Sequence, residues 1–474
     1  MKAKFFLILF ILSFLFVPGY SQDAKTWSLQ QCIDYALTHN LDIKLQELNE
    51  EAARADRTQS IANLFPTLGA ASYQGYNYGR TIDRFTNEFA TERVLYQNLY
   101  GQSDLVLFSG FQNINNIRMH NARNTAFRYD TERLKNDIIL AIAGAYLQIL
   151  YHEDLVSVAR EQMQVMNQQV ERSAVLFEGG TLARSALLEV EAQQAQEQLN
   201  LLNAENDLRL SYLELVQLLD LDPEEEFAVE SLPMDVDENF AFQSPQEAAV
   251  KALSLEPSVM AADYRVNEAS KNVAMARGAY SPRLSFNAQM GSGYSEAARR
   301  VAGSQATGQY QQIGFTESDE AVYQEIMMTQ LEKKPYRDQI KDNYNTTLSL
   351  VLNIPIFNRL QTRTRVSHAR IDLEQARIRL NQTKNNVNKL IYQAHADAMA
   401  SWQQYLSTEK SRESFEESFR FASQRFDQGM INAVEYNEAR VRLVRSQVEA
   451  LQAKYDFVFK SRILEFYQGE PLSF

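Results

Sequence analysis

A single cysteine, Cys32, in a chain of 474 residues excludes an internal disulfide framework and any cysteine-based metal cluster. Histidine is equally sparse: His39, His120, His152, His368 and His395 form no HExxH or other ligand-spaced pair, so no metal site is expected. Gly291-Ser292-Gly293 lacks the remaining glycine of a dinucleotide fingerprint and has no helix after it, which leaves it as turn or loop chemistry and implies no cofactor. There is no nucleophile–base arrangement, so no catalytic residue is assigned and no enzyme is expected. Basic residues number 47 against 60 acidic, a net charge of −13. Without a basic patch carrying interleaved aromatics, nucleic acid is excluded as a partner.

Long apolar runs are also missing, with one exception at the start. Met1-Lys2-Ala3-Lys4 precedes an apolar stretch from Phe5 to Val17, and Gly19 and Ser21 put small residues at −3 and −1 of a cleavage after Ser21. That is a signal peptide over residues 1–21, too short in its apolar part for a spanning helix. Cys32 lies too far beyond the cleavage point to carry a lipoprotein anchor, and reads as a small apolar residue on a helix face. No later segment offers 18 apolar residues in a row, so no helical membrane span is expected.

Proline and glycine are absent where it matters most. None occurs from Phe357 to Gln428, and only Gly144 interrupts Phe111 to Glu178. Uninterrupted runs of this kind predict helices on the order of 100 Å long. They occur twice because the chain is duplicated: residues 22–220 and 244–468 run in parallel. Ser28 matches Ser244 and Ala36 matches Ala252. After an insertion in the second copy, Phe108 matches Phe357, Phe177 matches Phe426, Gly180 matches Gly429 and Glu189 matches Glu438.

Each copy opens with a pair of helices, capped by Ser28 or by Ser244 with Glu247 three residues on, and halted before Pro66 or Pro282. Strands follow at about 67–79 and 99–108, then 283–294 and 345–356. Leu348, Leu350, Leu352, Ile354 and Ile356 alternate there with Thr347, Ser349, Val351, Asn353 and Pro355, the period of a strand with one apolar and one largely polar face. About ten residues is the length of a membrane-barrel strand, and Tyr73, Tyr76, Tyr78, Tyr96, Tyr100 and Tyr294 suit an interfacial girdle. A half-buried soluble sheet explains the strands alone equally well.

Heptad stripes mark the long helices as coiled coil: Leu373, Ala376, Leu380, Thr383, Val387 and Leu390; Val441, Val444, Val448, Leu451, Tyr455 and Val458; Leu188, Ala192, Ala195, Leu199 and Leu202. Glycines near 180 and 429 fold each helix back into an antiparallel hairpin. Residues 221–243 read as a linker, 295–342 as a long polar loop between two strands, and 469–474 as a tail. Four membrane strands leave open edges in lipid. Three chains would supply the twelve strands of a closed barrel, so a homotrimer in outer-membrane lipid is expected.

A signal peptide, two copies of helix–helix–strand–strand–long hairpin, and Phe177-x-x-Gly180 and Phe426-x-x-Gly429 at the turns resemble the TolC-like outer-membrane efflux proteins over nearly the whole mature chain. The resemblance implies a mainly α protein with a membrane β part, long coiled-coil hairpins forming an α-barrel, and a trimeric 12-stranded β-barrel. It implies a cell outer membrane location with a periplasmic extension. By the same resemblance Gly180, Thr181 and Leu182 with Gly429, Met430 and Ile431 are the turns that dock a periplasmic adaptor (membrane fusion) protein. Glu435 and Glu438, with Phe426 and Phe177, fall at the channel constriction. Ile431 stands where some members carry an arginine that latches the closed state by charge. The implied function is a passive exit duct for small molecules in a tripartite efflux system, driven indirectly by an inner-membrane pump. The alternatives are the duct of a type I protein secretion system, or an exported coiled-coil scaffold or adhesin.

Overall fold

The computed structural model describes residues 25–91, 93–222, 227–232, 234, 236 and 242–472. The signal peptide lies outside the described residues, as do parts of the linker and the last two residues of the tail. In chain order the elements are β1 (Lys25–Trp27), α1 (Leu29–His39), α2 (Leu41–Ala62), β2 (Thr67–Asn77), β3 (Thr81–Ile82), β4 (Phe89–Ala90), β5 (Val94–Phe108), α3 (Gln112–Glu178), α4 (Arg184–Leu219), β6 (Phe227–Val229), α5 (Pro245–Leu255), α6 (Pro257–Gly278), β7 (Arg283–Ser295), β8 (Arg299–Phe315), β9 (Ala321–Lys333), α7 (Tyr336–Asp342), β10 (Asn345–Asn353), α8 (Gln361–Asp427) and α9 (Ala433–Tyr467). The duplication is plain in this order. The chain divides into two compact units, one made of residues up to Ala53, Asn124–Val266 and everything from Ala376 onward, the other of Arg54–Arg123 and Asn267–Gln375.

The first unit is helical. Ser28 caps α1 with a capping box, its side chain accepting from Gln31 N while Gln31 reaches back to the Ser28 N–H. In the second copy Ser244 accepts from Glu247 N, and Pro245 occupies the first turn of α5. The core gathers Leu29, Ile33, Ile43, Ile142, Ile149 and Leu215 around Tyr146. The apolar middle of α3 is therefore interior packing. Tyr146 hydroxyl, fully buried, lies within hydrogen-bond distance of Trp27 O (3.1 Å) and Glu230 O (2.7 Å). It thereby holds the parallel pair β1:β6, so the expected linker contributes a strand. Cys32 is wholly buried in the same core, and loss of solvent pushes its thiol pKa up to about 12.

The second unit holds an antiparallel sheet of order β10-β7-β5-β2, in which each copy contributes one strand pair and β5 joins β7 across the duplication. The register sorts the residues by face. Leu348, Leu350 and Leu352 lie opposite Ala288, Phe286 and Leu284, and Phe286 opposite Leu105. On the other face Ser349 meets Asn287, and Asn287 meets Asp104. The apolar face is open: Leu348, Leu350 and Leu352 are 65%, 66% and 59% exposed. A soluble sheet buries its apolar face and exposes the polar one; this sheet is built for an apolar surround. The tyrosines do not all belong to one girdle. Tyr76 and Tyr294 share the apolar face, whereas Tyr73, Tyr96 and Tyr100 lie on the polar one, with the Tyr73 and Tyr100 hydroxyls 3.0 Å apart.

Both copies turn from strand into long helix through two successive left-handed residues, Gly110 and Phe111 in one and Arg359 and Leu360 in the other. At Gly110 the backbone also passes within van der Waals contact of Gly278, and a Cβ on either would lie 2.4 Å from the other's carbonyl oxygen. The loop expected over 295–342 is a correction. Residues 299–333 pair as the β8–β9 ribbon, and α7 follows before β10.

Candidate constriction and docking turns

The two helical hairpins turn by the same backbone device. Gly180 has φ +72 and Gly429 φ +73. Around them Thr181 N donates to Leu176 O (2.9 Å) and Gly180 N to Phe177 O (2.9 Å). Met430 N donates to Arg425 O (2.8 Å) and Gly429 N to Phe426 O (2.9 Å). These are the two bonds of a Schellman turn, which satisfy the last carbonyls of a helix when a residue without a Cβ penalty takes the left-handed position. No atom lies within 4 Å of where a Cβ would sit at either glycine, so both turns face open space. Thr181 and Met430 are exposed; Leu182 and Ile431 are half-buried.

The return helices start differently. Ala183 caps α4 without a side-chain bond, whereas Asn432 accepts from Glu435 N at 2.9 Å and donates to a Glu435 carboxylate oxygen at 3.2 Å. Glu435 therefore completes the first turn of α9 and sits where helix dipole and carboxylate attract. Glu438, one turn on, reaches Arg442 at 3.5 Å. Both glutamates are exposed in the single chain, so their charge is available to whatever faces α9.

Phe426 and Phe177 part company. Phe426 turns inward, stacked on Tyr436 at 4.7 Å, and lines a cavity of about 170 Å³ with Met166, Leu176, Leu182, Glu189 and Val434. Burial raises the Tyr436 phenol pKa and keeps the ring neutral. Phe177 is 37% exposed and does not line this cavity. The sites inferred for docking and for constriction thus meet at one cavity through Leu182 and Phe426.

Three turns inward lies a group the sequence did not single out. Arg440 on α9 is 3% exposed and faces Glu197 on α4, 12% exposed, at 3.1 Å. The guanidinium also donates to Gln162 of α3 (3.2 Å) and Asn437 (3.1 Å), and Gln193 donates to the same carboxylate (3.1 Å). One buried cation thus ties the second hairpin to both helices of the first. The heptad over α9 is correspondingly shifted. Its buried seam runs through Arg440, Leu443, Ser446, Ala450, Ala453 and Phe457, while Val441 is exposed. The stripe on α4 also lies off the intrachain seam, with Leu188 and Leu202 at 52% and 61% exposure.

A sheet with an exposed apolar face and two long helical hairpins, all in tandem repeat, define a class of mainly helical membrane protein with a β part. The comparisons with known proteins agree. The model of the outer membrane efflux protein family matches residues 32–220 and 248–469, one stretch in each copy. The chain belongs to that family, and its place is the cell outer membrane, with a periplasmic extension. Among curated relatives it is similar to the outer membrane efflux protein BepC of Brucella suis biovar 1 (strain 1330), 22% identical over 369 residues that cover 77% of this chain and 70% of that one. Among solved structures, CusC superposes with a TM-score of 0.75 at 15% identity, covering 94% of this chain and 92% of that chain. The outer membrane protein VceC of Vibrio cholerae gives 0.72 at 15% identity, covering 94% and 97%. These identities establish the shared fold.

Proposed function

We propose that this chain is the passive exit duct of a tripartite efflux system for small molecules. It works as a homotrimer whose hairpin turns receive a periplasmic adaptor (membrane fusion) protein, and an inner-membrane pump supplies the energy through that adaptor. The observation that carries the reading is the pair of edge strands, β10 and β2, which have no outer partner among the described residues, on a sheet whose exposed face is apolar. In hydrocarbon each unpaired backbone group costs several kcal/mol, so the sheet must close against other copies. The exposed leucine stripe of α4 gives the helical unit the same requirement.

The open surroundings of the Gly180 and Gly429 turns support them as the adaptor contact, with Thr181, Leu182, Met430 and Ile431 as the contacting side chains. Glu435 and Glu438 are assigned to the lumen, where confined carboxylates attract cations. Met430 tests the docking assignment. It is exposed and not constrained by a positive φ, so Met430→Asp should stop export while leaving surface amount and single-channel conductance unchanged. Unimpaired export by that variant refutes the second turn as an adaptor contact.

A further inference from the structure

The β8–β9 ribbon has no part in the duct as described. It rises from the end of β7, anchored at its base by Lys334 N donating to Ala298 O (3.0 Å), by the Lys333–Glu296 ion pair (3.1 Å) and by Ser292 Oγ donating to Ile340 O (2.6 Å). A buried cluster fixes the root. Gln339 bonds both Ser295 N and Ser295 O, and the Ser295 hydroxyl donates to Asp83. Beyond the root β8 and β9 pair only with each other among the described residues.

The register gives the ribbon two unlike faces. Val301 lies opposite Leu331, Ala306 opposite Met327, Gln312 opposite Tyr323, and Phe315 opposite Ala321, all on the face that also carries Tyr310. Its large apolar side chains range from 51% exposed for Met327 to 66% for Phe315. The Glu325 carboxylate on this face is turned back onto the ribbon, accepting from Gly308 N at 3.2 Å. The reverse face carries Gln305, Gln311, Gln324 and Gln330 and the Arg300–Glu332 ion pair, with only Met328, Ile326 and Val322 as large apolar side chains among them.

A two-stranded ribbon is at best marginally stable in water without a surface to pack on. An uncovered apolar face of this size marks an interaction surface. We infer that this face packs against the same face of neighbouring copies, three ribbons enclosing a shared apolar core. The root argues for a copy as the occupant. The ribbon leaves from β7, one strand in from the open edge β10, so the copy that closes the sheet brings its own root to about 20 Å, four strand spacings away. A 13-residue strand such as β9 reaches roughly 43 Å, about twice that separation. Ribbons rooted so close together stand side by side, each bringing the face on which Val301, Tyr310, Phe315, Tyr323 and Leu331 are exposed.

This rests on the closed trimer proposed above, and the experiment separates the two. In full-length protein in native outer membranes, with Cys32→Ala as background, Met327→Cys and Tyr323→Cys probe the apolar face and Gln311→Cys the reverse face. A short bis-maleimide should join chains through 327 or 323 and not through 311. A membrane-impermeant maleimide should label 327 and 323 about tenfold more slowly than 311, as buried positions do. Equal labelling of both faces with no interchain product, in protein whose native mass is three chains, overturns the inference and leaves the trimer standing. So does a product joining position 327 to a different polypeptide. A native mass of one chain overturns both. Replacing residues 300–332 by a short turn should leave the three-chain mass unchanged.

Discussion

Replacing Arg440 by methionine keeps most of the side-chain volume and removes the cation facing Glu197. The pair is nearly dry, at 3% and 12% exposure and 3.1 Å separation. At an effective dielectric constant of about 20 its mutual attraction is roughly 5 kcal/mol, most of it offset by the cost of taking both ions out of water. The exposed quantity is therefore the orphaned partner. A buried carboxylate left alone costs about 3–5 kcal/mol. Glu197 keeps its bond from Gln193 and a little solvent access, so about 3 kcal/mol is expected, a hundredfold in the opening equilibrium. The readout is amide exchange along α4 and the start of α9 in the intact oligomer, where Arg440→Met should speed exchange by about two orders of magnitude. Glu197→Met should do nearly as much by stranding the guanidinium. The double variant should return to within about 1 kcal/mol of the parent, because an apolar pair of similar volume replaces the ions. Additive single effects without this recovery refute the reasoning, as would an Arg440→Met variant whose exchange is unchanged.

Four further outcomes are expected. Leu350→Arg should destabilise the sheet by about 2–4 kcal/mol if it lies near the bilayer midplane, while Ser349→Arg on the opposite face should be tolerated; urea unfolding in lipid vesicles distinguishes them. Glu435→Gln with Glu438→Gln should reduce cation selectivity in single-channel recordings without loosening α9, since glutamine preserves the acceptor toward Asn432. Gly429→Ala should cost about 1–2 kcal/mol at the turn from its positive φ alone, with no clash to relieve, measured as faster local exchange with the oligomer intact. Cys32 should resist a membrane-permeant maleimide at pH 8 and react fully after denaturation. Its raised pKa leaves only ~1 in 10⁴ molecules as thiolate there, and the reactive fraction should grow only as pH approaches 12.

Legibility in the sequence followed how local each signal was. The hairpin turns were readable because a Schellman turn needs a glycine at one position, and Gly180 and Gly429 stand out against long runs without breakers. Helix starts at Ser28 and Ser244, and the alternation of Leu348, Leu350 and Leu352, were local for the same reason. The β8–β9 ribbon hid because its register shifts between Val301 and Gly303, between Ala306 and Tyr310, and between Gln312 and Gly314. Each bulge resets the two-residue period, so no stretch of β8 alternates for long. The α9 seam is displaced from the expected stripe over most of its length because four of its buried residues are small or charged, Ser446, Ala450, Ala453 and Arg440. The larger valines beside them dominate any hydrophobic pattern. Arg440 and Glu197 are 243 residues apart and carry no mutual signal before the fold brings them together.

A sheet with two open edges and an exposed apolar face must close against other copies of itself in a membrane. Native mass spectrometry of the full-length protein, extracted from outer membranes in mild detergent and conducting in planar bilayers, measures this directly. Three chains per conducting particle is the predicted result. A folded, conducting single chain would contradict it.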